Sequence, residues 1–400
     1  MAVRTSRAGR YMLQPQGYQA FVPEPLPPLP PVEIEPLSGI LSRADQALGR
    51  LDGVSLILPN PDFFVALYVR REAVLSSQIE GTQSTLEDLL TFEADPKASR
   101  VPYDVQEVVR YVRAMNYGLG RLETLPLSLR LIREIHAELL RGVRGGTRQP
   151  GEFRKNQNWI GPPNTPIAQA TFVPPPPNEM NEALNNLEQF LNAESDLPAL
   201  ILCGLAHAQF ETIHPFLDGN GRIGRLLITF LLVRKAVLSR PLLYLSHYLK
   251  RHRDEYYARL MRVRDAGDWE GWLTFFLGGV AETAEEATRT ARAIVNLRER
   301  HRASLQQNRV GANGLRLLDL LFQSPIVTVN FVTRHLDVAF VTANNLVDKL
   351  EAIGLLEETT GGRRNRRFRY APYLALFEEK EDELPVGPVQ TTASGQGAAS

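Results

Sequence analysis

Cysteine is almost absent: Cys203 is the only one among 400 residues. A lone thiol forms no internal disulfide and no multi-thiolate metal site, which fits a reducing compartment. Cys203 lies in an apolar stretch and reads as a small buried hydrophobe. Net charge is absent as well, because 45 Lys+Arg balance 45 Asp+Glu. That balance excludes a surface given over entirely to nucleic acid or membrane, though not a local basic patch. Long apolar runs are missing. The longest, Leu226 to Val233, is stopped by Arg234 and Lys235, whereas a membrane span needs about 20 residues. The N-terminus, MAVRTSRAGRYMLQPQG, has no secretory core. No HExxH or Cys/His cluster occurs, so no structural zinc is expected, and no GxxxxGK[ST] points to a P-loop. The expectation is a soluble cytoplasmic protein of two or three domains, with a 44% hydrophobic share to build cores.

What is present is mostly helical pattern. Residues 20–37 carry seven prolines, so 1–38 reads as an extended proline-rich arm. From Gly39 the period is helical, with Leu41, Ala44, Leu48 and Leu51 on one face. A turn at LPNPD (58–62) precedes a helix that breaks near Gly81. A second helix opens at Ser84, with Glu87 completing a capping box. Residues 104–123 and 128–141 continue the pattern. The stretch 142–180 is rich in glycine and proline, and its NWI and ATFV pieces suggest a small hairpin. Asn178 caps the next helix in this reading. Helices are expected over 179–193, 197–213, 220–238, 246–265 and 268–306. His207 reads as a supporting core histidine, His247 and His252 as solvated, and Trp269 and Trp272 as core.

One string carries chemistry: His214-Pro-Phe-Leu-Asp218-Gly219-Asn220-Gly221-Arg222-Ile223-Gly224-Arg225. Gly219 and Gly221 let backbone N–H groups approach an anion. A helix opening near Asn220 offers free donors and a positive dipole end. Arg222 and Arg225, three apart, can hold two phosphates. Asp218 is a hard oxygen ligand suited to Mg2+ on those phosphates, and His214 is a base for a hydroxyl proton. Gly219-x-Gly221-x-x-Gly224 also fits the dinucleotide fingerprint, but the residues before it have helical period, which excludes a Rossmann unit.

The string HPFLDGNGRIGR resembles the signature of the Fic family. The resemblance implies a mainly α fold: a Fic helical bundle with a small β-hairpin flap. It also implies a protein adenylyltransferase that moves AMP from ATP to a Ser, Thr or Tyr hydroxyl of a protein. Other phosphate-linked groups remain open as donors. GEFRKNQNWIG (151–161) is similar to the start of the family's flap, with Ile160 and Gly161 against the nucleotide and the target protein paired along it. Trp159 in that flap either covers the nucleotide or packs. Ser76-x-x-x-Glu80-Gly81 resembles the family's inhibitory motif, in which Glu80 pairs with Arg225 and holds ATP unreactive. The same glutamate could instead align water for AMP removal. RDEYYARL (253–260) resembles the helix whose paired tyrosines, here Tyr256 and Tyr257, line the adenine site. ATP as substrate, Mg2+ on Asp218 and a homodimer are what the resemblance implies.

The remaining order, helix–helix–turn–helix–hairpin over 310–372, is that of a C-terminal winged-helix domain. Arg363, Arg364, Arg366, Arg367 and Arg369 cluster in its wing, which leaves DNA as a partner in a rival reading. The expected units are 1–38, 39–125 with the inhibitory motif, a catalytic core over 126–306, 310–372, and an acidic, disordered tail over 373–400.

Overall fold

The computed structural model describes residues 5–56, 61–95, 102–143, 146, 148–162, 164–362 and 366–377. Three strands open the chain: β1 (Thr5–Ser6), β2 (Gly9–Leu13) and β3 (Gln19–Pro23), antiparallel in that order. This corrects the extended arm expected over 1–38. The sheet is pinned from both faces. Ala20, Phe21 and Val22 are buried, the Phe21 N–H donates to Val173 O at 2.9 Å, and Arg7 donates to Gly267 O and pairs with Glu270. The prolines from residue 23 onward mask a strand pattern that needs only five residues on each leg.

Helices follow: α1 (Ser38–Leu56), α2 (Pro61–Ile79), α3 (Leu86–Ala94), α4 (Tyr103–Leu122) and α5 (Leu129–Leu140). Pro61 opens α2, where a missing N–H is tolerated; residues 57–60 of the expected turn lie outside the described residues. The capping box of α3 sits one residue later than Ser84/Glu87. Thr85 Oγ1 accepts from Asp88 N and the Asp88 carboxylate accepts from Thr85 N, while Ser84 is buried with an unpartnered hydroxyl. The expected hairpin over 142–180 is reduced to one antiparallel bridge, Ile160 with Phe172, closed by two hydrogen bonds.

Next come α6 (Pro177–Asn192), α7 (Ala199–Ile213), α8 (Asn220–Arg234), α9 (Ser246–Arg251), α10 (Arg253–Ala266) and α11 (Trp269–Gln307). Asn178 is inside α6, not its cap, because Pro176 and Pro177 already set the entry. The single helix expected over 246–265 breaks at His252 (φ −108, ψ 37). α7 is the axis of the bundle: Leu200 through Ile213 are all buried, the mark of a helix enclosed on every side. Its closeness to α11 rests on Gly204, whose Cβ would lie 2.7 Å from Leu273 Cδ2. Trp272 Nε1 donates to the Gly204 carbonyl at 2.8 Å, so burying that indole leaves no donor unpaired. α1 lies along α11 through the face of Ala44, Leu48 and Leu51.

The C-terminal unit consists of α12 (Gly311–Gln323), β4 (Ile326–Thr328), α13 (Val329–Leu336), α14 (Phe340–Ala352), β5 (Glu357–Glu358), β6 (Arg367–Arg369) and α15 (Ala371–Leu374), with sheet order β4-β6-β5. It packs on α2 and α3, with the Phe377 ring edge-on to Tyr68 at 5.6 Å. Tyr373 and Phe377 are buried, so the packed chain extends past residue 373; residues 378–400 of the expected tail lie outside the described residues. No described helix is long and apolar enough to cross a membrane.

Candidate active site

The loop 214–219 lies between α7 and α8, and two left-handed residues bracket it. His214 ends α7 at φ 48, ψ 60, and Gly219 begins α8 at φ 80. Asn220 closes the loop from inside: its Oδ1 accepts from Phe216 N and its Nδ2 donates to Phe216 O, both at 2.8 Å. Its side chain is therefore spent within the protein, which leaves only its backbone N–H for an anion. Gly219 supplies no side-chain cap, so the first-turn N–H groups of α8 stay open, as an oxyanion requires.

Burial, reinforced by the cations of Arg264 and Arg154, lowers the His214 imidazole to about 3, so it is a neutral proton acceptor. Arg264 is itself buried. It donates to Thr212 Oγ1 and Glu211 O, and its guanidinium stacks 3.7 Å over the Phe172 ring.

Arg222 and Arg225 share the string but not a partner. Arg222 reaches Glu107 of α4 at 3.4 Å and Asp218 at 3.3 Å. Arg225 turns to α2: its Nε donates to Ser76 Oγ at 2.7 Å, and its Nη2 donates to Ser76 O at 2.9 Å and Glu80 Oε1 at 2.7 Å. Burial raises the Glu80 carboxyl, but Arg225 outweighs it and holds the group below its ordinary value. That carboxylate lies directly over α8, because a Cβ on Gly221 would be 2.2 Å from Glu80 Oε1. Gly81 (φ 98) makes the turn that leaves α2 just after it. Ile223 is buried in the bundle, and Gly224 accommodates Glu211, whose Oε1 would meet a Cβ there at 2.4 Å.

The two tyrosines of α10 part ways. Tyr256 is buried and its hydroxyl donates to His207 Nε2 at 2.9 Å, while His207 Nδ1 donates to Gly224 O at 2.9 Å. His207 thus braces α8 against α10, as a supporting core residue. Tyr257 is 37% exposed and feels the Glu80 charge. Ile160 and Gly161 sit at the flap bridge, and Trp159 is exposed, donating to Thr165 O at 2.8 Å. His247 is buried rather than solvated, 3.4 Å from Glu286.

Two side chains of the site, His136 and Glu211, gave no signal in the sequence, and Arg154 lay in the flap string without a role assigned to it. His136 on α5 accepts from Gly151 N at 2.8 Å and donates through Nε2 to Asp218 O at 3.0 Å, so it ties the flap's start to the loop. Burial lowers it to about 4. Arg154 grips the loop from the flap side. Glu211, one turn before His214, is buried and pushed up to about 7, with Oε1 unpartnered. His136 and Glu211 are polar residues inside helices and Arg154 opens the polar run 154–158, and no spacing rule marks any of them. Among the described residues no group of three or more His, Cys, Asp or Glu gathers to hold a metal. Asp218, its side chain 39% exposed at the loop, is a single carboxylate. That fits Mg2+, which takes one or two carboxylates and completes its shell with phosphate and water.

A helical bundle with a neutral histidine beside an open helix start is the class of protein these features define. Residues 39–120 match the Fic/DOC family N-terminal model and 126–232 the Fic/DOC family model. The chain thus carries a Fic/DOC N-terminal region and a Fic/DOC domain. It is 30% identical over 182 residues to the protein adenylyltransferase Fic of Drosophila virilis, covering 45% of this chain and 34% of that protein. The Drosophila willistoni protein of the same name is 30% identical over 182 residues, covering 45% and 33%. The chain thus aligns with about a third of each relative's length. A Fic family protein from Desulfovibrio desulfuricans G20 has the same fold, with a TM-score of 0.53 at 19% identity, covering 85% of this chain and 97% of that one.

Proposed function

We propose that this protein is an adenylyltransferase that transfers AMP from ATP to a Ser, Thr or Tyr hydroxyl of a protein, and that Glu80 holds it back. The observation that carries the reading is the ion pair between Glu80 and Arg225 at 2.7 Å above an uncapped helix start. A carboxylate there stands where a terminal phosphate would otherwise meet the arginine.

In the reaction the target oxygen attacks the α-phosphorus while His214 takes its proton. The bond from the α-phosphorus to the bridging oxygen breaks and pyrophosphate leaves. The N–H groups of Asn220, Gly221 and Arg222 receive the α-phosphate oxygens. Arg222 and Arg225 take the leaving phosphates once freed from Glu107 and Glu80. Asp218 would hold Mg2+, which supplies positive charge to the phosphates. Tyr257, Ile160 and Gly161 flank the nucleoside, with Tyr256 as the brace behind. The target strand adds beside the Ile160–Phe172 bridge. We assign the units 39–125, 126–306 and 310–372, the last as a winged helix.

The test is transfer from α-labelled ATP to the protein itself, with mass spectrometry to read an added AMP. His214→Ala is expected to keep the fold and abolish labelling. Labelling that persists in that variant overturns the assignment.

A further inference from the structure

Arg154 is 1% exposed, and its acceptors are all backbone carbonyls. Its guanidinium donates to His214 O at 3.0 Å, Pro175 O at 2.6 Å, Asn156 O at 3.3 Å and Ile213 O at 3.4 Å. Its own N–H donates to Pro215 O at 2.9 Å. A buried cation answered only by neutral acceptors is costly, and burial draws it down to about 10. The carbonyls it joins explain what that cost secures. Asn156 belongs to the outgoing leg of the flap and Pro175 to the returning leg. Ile213, His214 and Pro215 form the left-handed turn that presents the imidazole. A non-glycine residue in that region is strained and needs surrounding structure to hold it. Asn158 adds a second donor to the same His214 carbonyl at 3.3 Å and reaches Phe216 O at 2.9 Å.

We propose that Arg154 is the positioning residue for His214. It clamps the imidazole's turn to both legs of the flap, so the segment that receives the target and the base that receives its proton are held as one body. This rests on the adenylyl-transfer reading given above. The charged groups facing His214 are Arg264 from α10, Arg154 from the flap and Glu80 from the end of α2, while Glu211 on its own helix acts on the imidazole through its backbone. Lysine at 154 keeps the charge but cannot span four carbonyls, so it separates geometry from charge.

The experiment uses the full chain in a Glu80→Gly background. Arg154→Lys is expected to lower kcat by about 10- to 100-fold with ATP affinity unchanged, since a small misplacement of a reacting group costs rate and not nucleotide binding. Asn158→Ala, a milder change, should lower kcat in the same sense. Carbethoxylation of His214, read by peptide mass spectrometry, should quicken in Arg154→Lys as the turn loosens. An unchanged kcat, or ATP affinity and kcat lost together, overturns the proposal. Unchanged carbethoxylation overturns it whether or not the parent transfers AMP. An inactive parent with quickened carbethoxylation overturns the assigned reaction and leaves the positioning role supported.

Discussion

Replacing Glu80 by glycine removes one charge-assisted hydrogen bond, Arg225 Nη2 to Glu80 Oε1 at 2.7 Å. It leaves the two bonds from Arg225 to Ser76 in place. The guanidinium is buried while the carboxylate keeps 36% of its side-chain surface, so the full penalty of an unpaired interior charge does not apply. A bond to a charged group contributes about 1.5–3 kcal/mol. Converted at about 1.4 kcal/mol per decade, losing it shifts the balance between blocked and open site by roughly 10- to 150-fold. The variant also clears the space over Gly221, where Glu80 Oε1 now lies, and no new group enters it. The assay is the initial rate of self-labelling from α-labelled ATP at saturating nucleotide, with Glu80→Gln as the intermediate case that keeps shape and loses charge. A Glu80→Gly rate within about twofold of the parent would refute the reasoning, because the lost hydrogen bond alone predicts about tenfold.

The base is set by its surroundings. His214 is lowered from 6.5 to about 3 by burial and by Arg264 and Arg154. A lowered histidine gains its proton only below that value, so kcat should show no acid limb from His214 between about pH 5 and 8. A midpoint at the ordinary histidine value counts against a base held neutral by its surroundings. At Gly118 an added Cβ would lie 2.4 Å from Phe230 Cζ and 3.1 Å from Ile135 Cδ1. Gly118→Ala should therefore lose about 1–3 kcal/mol to overpacking, offset by roughly 1 kcal/mol of helix propensity. Urea unfolding reads this, and a stabilised variant contradicts the α4–α5–α8 packing. In the C-terminal unit Arg366 is paired with Asp348 and Arg369 with Glu357, both at 2.9 Å. Random duplex DNA at low salt should accordingly give no gel shift, and a salt-sensitive shift would favour the rival reading.

Helix existence was legible because a helix repeats its apolar face over several turns, as α1 does through Ala44, Leu48 and Leu51. The 214–225 string was legible because glycine, arginine and histidine stand there at fixed offsets. Boundaries were less so. Ser84 and Thr85 are both competent caps, and only the fold decides that Thr85 meets Asp88. The strands β2 and β3 were hidden because each is only five residues long and their pairing depends on a loop closed by Gln14 and Tyr18. His136, Arg154 and Glu211 were hidden for a different reason: each matters through a backbone group or cavity that sequence does not display.

Arg222 and Arg225 show where spacing ceases to inform. Three residues apart on a helix, their Cα atoms do share a side. A guanidinium on a long stem nevertheless goes where a carboxylate is buried, and the bundle supplies one from each direction. Glu107 comes from α4 and Glu80 from the end of α2. The two arginines therefore answer acids on different elements, and on the proposed reading each phosphate contact must displace an acid already in place. The acids differ in how easily they yield. The Glu107 side chain is 8% exposed in the second turn of α4, whereas that of Glu80 is 36% exposed at a helix end followed by a glycine turn. On the proposed reading Arg225 is the arginine whose release can be controlled, and Ser76 keeps it aimed while the carboxylate leaves.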